Sequence, residues 1–118
     1  MIYIVSNRMS PKVNWNKLGD SEWIHFGTGV EIDKRIIMRE VNKHFNSSSF
    51  YLAMQRNDSV QLERESLENE ILLLLDKKDF LIWNIDFTKA IEFNHCGILR
   101  CGQIPSNNKF HRLENEFE

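Results

Sequence analysis

Hydrophobic and polar positions alternate through FLIWNIDFTKAIEFNHCGILRCGQ, residues 80–103. Along residues 80–87, Leu81, Trp83, Ile85 and Phe87 fall on one side of an extended chain and Phe80, Ile82, Asn84 and Asp86 on the other. Two such faces predict a strand covered on both sides, in the middle of a sheet. Residues 89–94 alternate Lys89, Ile91, Phe93 with Ala90, Glu92, Asn94, and the short link from Asn94 to Gly97 predicts a hairpin with residues 98–104. Pro105 ends the last strand because it has no N–H to give a ladder.

The period changes upstream. In residues 31–45, Ile32, Ile36, Ile37, Val41 and Phe45 share one stripe, which predicts a helix with Glu31 and Asp33 at the positive end of its dipole and Lys43 and His44 at the other. A second helix is expected over residues 60–76, with Val60, Leu67, Ile71 and Leu74 on its buried stripe. Residues 49–56 alternate as a strand, and β-branched residues 1–5 and the run 21–26 read as two more. Residues 10–20 suit an ordered loop or one helical turn. Together these predict an α+β fold: a single domain over residues 1–105 with a sheet of about four to six strands, mostly antiparallel, packed with two main helices. A polar, mobile tail, residues 106–118, is expected to follow, with Phe110, Leu113 and Phe117 leaving a short docked helix open.

Composition narrows this picture. The chain has 118 residues, 27% of them charged, and a formal net charge of -2, without the basic patch of a dedicated nucleic-acid binder. Its charge is uneven: residues 1–45 hold seven bases against five acids, residues 46–118 twelve acids against eight bases. The apolar run 71–75 is too short to span a bilayer and the first residues lack the pattern of a signal peptide, so a cytoplasmic protein is expected. Two cysteines are too few for a disulfide scaffold.

Several groups have candidate chemistry. His95, Cys96 and Cys101 lie too close together, without a second ligand pair, for a structural zinc pattern. His25, His44, His95 and His111 could supply a general acid and base, yet no spacing selects a pair. The two glycines of FGTGVEIDK, residues 26–34, could cradle an anion at a helix start, although a turn and a helix cap explain them as well. Neither a cofactor nor a metal is expected. Trp15, Trp23 and Trp83 suit packing, and an exposed Trp15 would also serve as an anchor for a protein partner. The acids Asp58, Glu63, Glu65, Glu68 and Glu70, against the single base Arg64, predict an acidic helix face that is either simply solvated or complementary to a basic partner.

The run LENEILLLLDKKDFLIWNIDFTKAIEFNHCGILRCG, a leucine-rich helix followed by a Trp-Asn strand and a hairpin ending Gly-Ile-Leu-Arg-Cys-Gly, covers about a third of the chain. It resembles the C-terminal half of small immunity proteins of bacterial contact-dependent growth inhibition and related polymorphic toxin systems. The resemblance implies a non-catalytic cytoplasmic protein that binds a cognate toxin domain, commonly a nuclease and often one that cleaves tRNA. It carries no family residue over. Asp58, Glu63, Glu65, Glu68, Glu70 and Trp15 are therefore taken as the partner-binding candidates from their own chemistry. A small RNA-processing enzyme or toxin using a histidine pair, and a ligand-binding module using the glycine turn near Thr28, are the alternatives from other classes.

Overall fold

The alternation of residues 80–103 becomes the antiparallel meander β5 (Phe80–Asn84), β6 (Lys89–Asn94) and β7 (Ile98–Gln103) in a computed structural model, which describes residues 1–54, 59–75 and 77–105. The first of these strands stops three residues short of the expected Phe87. Asn84 ends it by folding its own side chain into the turn: Oδ1 accepts from Thr88 N at 2.9 Å and Lys89 N at 3.0 Å, and Nδ2 donates to Thr88 Oγ1 at 2.8 Å.

The meander is extended on both sides. β3 (Ser49–Ala53) pairs with β5, and β4 (Val60–Glu63) pairs with β3. At the far edge β1 (Asn14–Trp15) and β2 (Ile24–His25) both pair with β7, giving a seven-stranded sheet in the order β1-β7-β6-β5-β3-β4, with β2 beside β7. Among the described residues three α-helices complete the α+β fold: α1 (Ile2–Met9), α2 (Lys34–His44) and α3 (Arg64–Leu74). None of the described helices is long and apolar enough to cross a membrane.

Further expectations are corrected. The β-branched start of the chain is helix α1, because Ile2, Val5 and Met9 then lie together against the sheet and cover Trp83. Residues 21–26 keep only the two paired residues of β2, while residues 10–20 contain a 3₁₀ turn (Ser10–Lys12) and β1. Residues 60–63 are not the first turn of a helix: Val60 and Leu62 alternate with Gln61 and Glu63, and pairing with β3 satisfies their backbone before the chain turns into α3. The expected helix over residues 31–45 begins at Lys34, where Asp33 caps it by accepting from Arg35 N at 3.0 Å. The tail 106–118 and residues 55–58 lie outside the described residues.

The two faces of the sheet are covered differently. On one, Phe50, Leu52, Phe80, Ile82, Ile91, Phe93 and Leu99 pack against Ile37 and Val41 of α2 and Leu67 and Ile71 of α3. On the other, Tyr51, Ala53, Leu81, Trp83 and Ala90 meet Ile2, Val5 and Met9 of α1 together with Val13. Trp83 is fully buried there, and its indole N–H donates to the buried Ser6 hydroxyl at 2.8 Å.

Candidate functional site

Cross-strand register lays out two rows on the α1 face. One runs Tyr51, Trp83, Ala90, Gly102, Trp15, and the next runs Ala53, Leu81, Glu92, Arg100. α1 and Trp15 cover the first row. Gly102 is required beneath the indole, since a Cβ there would stand 2.8 Å from Trp15 Cε3 and 2.6 Å from Asn14 O. In the second row Ala53 is buried in the cluster with α1, while Leu81, Glu92 and Arg100 form the floor of a groove of about 460 Å³, walled by Ser10, Pro11, Val13 and Trp15.

Arg100 is the centre of this groove. Its guanidinium carbon lies 4.2 Å from the Trp15 ring centroid and 4.6 Å from that of Trp23. Its nitrogens donate to Glu92 Oε1 at 2.7 Å and Glu22 Oε1 at 2.6 Å. All five side chains are half-buried. A cation held by two aromatic faces and two carboxylates cannot swing freely, so the groove presents Trp15 and Arg100 in a fixed arrangement, with Trp23 against the same guanidinium. Trp and Arg are the residue types that dominate protein–protein binding energy, because they offer large rigid contact at small entropic cost. Of this cluster the sequence singled out only Trp15. Arg100 was not singled out, because its partners are distant in sequence.

The acidic candidates are divided by the β4 to α3 junction. Glu63 lies on β4, on the same sheet face as Tyr51, and accepts from Ser49 Oγ at 2.8 Å. At about 100° per residue along α3, Glu65 and Glu68 share one outer flank, whereas Glu70 falls on the opposite flank beside Leu73. Asp58 lies outside the described residues. Arg64 points away from the acids: it donates to Phe45 O at 2.9 Å, Ser47 O at 2.9 Å and Asn42 Oδ1 at 2.7 Å, tying the end of α2 to the start of α3. Glu65 and Glu68 are exposed and form no ion pair among the described residues.

The histidines and cysteines are dispersed. His25 is exposed on β2. His44 donates from Nε2 to Gly102 O at 2.8 Å, and its burial pushes its pKa below the ordinary histidine value, a shift that nearby Lys89 increases. His95 stands at the β6–β7 turn, its Nδ1 2.7 Å from Asp79 Oδ1, which also accepts the His95 backbone N–H at 2.9 Å. His111 lies outside the described residues. Cys96 is exposed, while Cys101 faces the α2 side of β7, where burial and the nearby Glu40 carboxylate push its thiol up to about 12. Such a thiol holds its proton at neutral pH and offers no thiolate. Among the described residues no group of three or more His, Cys, Asp or Glu is placed to hold a metal ion.

At the glycine turn, Phe26 N and Gly27 N both donate to Gly97 O, at 2.9 and 3.2 Å. The start of α2 already holds the Asp33 carboxylate, whose pKa the side chain of Arg35 lowers, so a second anion there would meet a like charge. In comparison with known proteins, no family model, no curated sequence and no solved structure matches the chain.

Proposed function

We propose that the chain is an immunity protein, acting in the cytoplasm of the producing cell, that binds a cognate toxin domain and neutralises it by covering its active site or its approach to substrate. The observation that supports this reading is the groove lined by Trp15 and Arg100, whose guanidinium lies against Trp15 and also against Trp23. Rigid aromatic and guanidinium contact of this kind suits a polypeptide partner. The likeness of residues 67–102 to immunity proteins supplies the class of that partner, a toxin that is commonly a nuclease and often cleaves tRNA.

A nuclease must hold phosphates, so its active-site surface is generally basic. Glu65 and Glu68, side by side and unneutralised, provide a complementary patch that would steer such a partner without themselves being its main anchor. Inhibition of this kind requires affinity and no covalent chemistry.

The test is co-expression with a toxin domain encoded immediately upstream of the chain. Expected are restored growth, co-purification as a complex, and a loss of about thirtyfold or more in affinity for Trp15→Ala and Arg100→Ala, the ~2 kcal/mol scale of a hot-spot residue. A chain that neither rescues growth nor co-purifies rules the proposal out. If it instead arrests growth and cleaves RNA by itself, the nuclease alternative takes its place.

A further inference from the structure

We infer that a second cavity, between α2 and the loop joining β1 to β2, is a socket for one alkyl cation, an ammonium or guanidinium group such as a Lys or Arg side chain of the bound toxin would insert. The inference rests on the toxin-binding reading only for the polypeptide that brings the cation. The cavity encloses about 150 Å³, with Leu18 and Ile24 as apolar walls, Asn16 and Glu22 from the loop, Glu40 from α2, and Cys101 of β7. A volume of that order takes a six-membered carbon ring in an apolar cavity, so it admits the end of a long side chain.

Glu40 identifies the charge of the occupant. Its side chain is only 10% exposed, and among the described residues its one hydrogen bond is a long one, from Arg39 Nε to Oε2 at 3.3 Å. Oε1 has no donor among the described residues. An ionised carboxylate offers about four acceptor sites and is costly to bury with one of them used. The other polar groups of the cavity do not supply the missing donors: the His44 Nε2–H is spent on Gly102 O, and Glu22 Oε1 is held by Arg100. Lys43 is exposed at the rim and forms no ion pair with Glu40.

Glu40 is the carboxylate that both neighbouring titratable groups feel: it favours the protonated thiol of Cys101 and the protonated ring of His44, against the opposing effects of Lys43 on the thiol and Lys89 on the ring. An anionic occupant would be repelled, and a neutral apolar one would bury the carboxylate further without satisfying it. An ammonium brings three donors and a guanidinium five, and the apolar walls accommodate the methylenes behind them.

The experiment titrates the full-length, ¹⁵N-labelled chain with n-butylguanidinium, using n-butanol and butyrate as controls for the alkyl tail and for a negative charge. Expected are saturable amide shifts at Asn16, Ile24, Glu40 and Cys101 at millimolar cation, absent with either control. Glu40→Gln is expected to weaken binding at least tenfold. Lys43→Ala, which removes a like charge at the rim and leaves the buried groups alone, is expected to tighten it. Equal shifts with butanol, or unchanged affinity in Glu40→Gln, overturn the inference; should Glu40→Gln fail to fold, unchanged or weaker binding by Lys43→Ala overturns it. Because the probe is a free cation, its result does not depend on a toxin. A socket that binds butylguanidinium in a chain that gives no growth rescue keeps this inference and rejects the immunity reading, whereas rescue without cation binding does the reverse.

Discussion

The same strands show one closed face and one half-open face, although hydrophobic residues alternate onto both. Ile82, Ile91, Phe93 and Leu99 are fully buried under α2 and α3, whereas Leu81, Glu92 and Arg100, their neighbours in sequence or register, stay half-exposed. The cause is the size of the cover. α2 and α3 have eleven residues each and α1 has eight. Eight residues make a helix about 12 Å long, while six strands side by side span about 24 Å, so α1 cannot roof its face whichever way it runs. What it leaves open holds the paired aromatic and charged residues that suit a partner, and what it covers is scaffold.

The largest expected effect separates those two halves of one face. Trp83→Ala, under α1, is expected to cost about 3 to 5 kcal/mol, because a large buried ring is lost and the buried Ser6 hydroxyl loses its donor. Arg100→Ala, in the open half, is expected to cost about 1 kcal/mol, since its contacts are half-exposed. Urea denaturation of both variants checks the contrast. Comparable losses would mean that the groove is part of the scaffold.

The joint between β2 and the β6–β7 turn comes next. Gly97 has φ 92°, and a Cβ there would lie 2.7 Å from Gly27 O and 2.9 Å from Thr28 Cγ2. Gly97→Ala is therefore expected to destabilise by about 1 to 3 kcal/mol, the usual range for a side chain forced into the left-handed region, with the crowding added. It should do so without altering the groove. A variant as stable as the parent would show that the turn relaxes and that Gly27 and Gly97 do not fix where β2 meets the sheet.

Elements whose burial depends on strict alternation were legible in the sequence: β6 occupies the expected residues 89–94, β7 stops one residue short of the expected 98–104, and the stripe Ile37, Val41 marks α2. Four- and five-residue runs were not, because at that length both periods fit. Residues 1–5, with β-branched Ile2, Ile4 and Val5, read as a strand, yet Ile2, Val5 and Met9 also satisfy helical spacing, and the need to cover Trp83 decides between them. Residues 60–63 went the other way, drawn into the sheet by β3. That exchange broke up the expected acidic helix face, placing Glu63 on the sheet and leaving Glu65 and Glu68 together. Nothing local could reveal the groove, because Trp15, Trp23, Glu22, Glu92 and Arg100 meet only through the pairing of β1 and β2 with β7.

A smaller effect probes the edge of the closed face. His44 sits at the end of α2, and its folded pKa lies below its ordinary value because burial disfavours the imidazolium. The unfolded chain then binds more protons between the folded and ordinary values, so the contribution of His44 is constant above about pH 6.5 and declines as pH falls toward the folded pKa. His44→Gln is expected to flatten this part of the stability profile, measured as urea midpoints between pH 7.5 and 5. Asp79, whose pKa is lowered by its bonds to His95, acts in a separate window and weakens the fold only below the ordinary carboxylate range. A profile that stays steep in His44→Gln would assign the loss near pH 6 to another group.

The smallest expected effect on the fold belongs to the surface with the clearest effect on encounter. Glu65 and Glu68 touch no described cation, so Glu65→Lys with Glu68→Lys should leave stability within about 0.5 kcal/mol of the parent. With a basic toxin the double reversal should slow association by more than tenfold at low salt, with the difference shrinking as ionic strength rises, because steering between exposed charges is screened over about 10 Å at 0.1 M salt. Glu70→Lys, on the other flank of α3, should change association much less. Stopped-flow association of the complex at two salt concentrations separates the cases. Equal slowing by Glu70→Lys would mean that net charge rather than a defined flank guides such a partner, and no slowing by either would leave the groove of Trp15 and Arg100 as the proposed recognition surface.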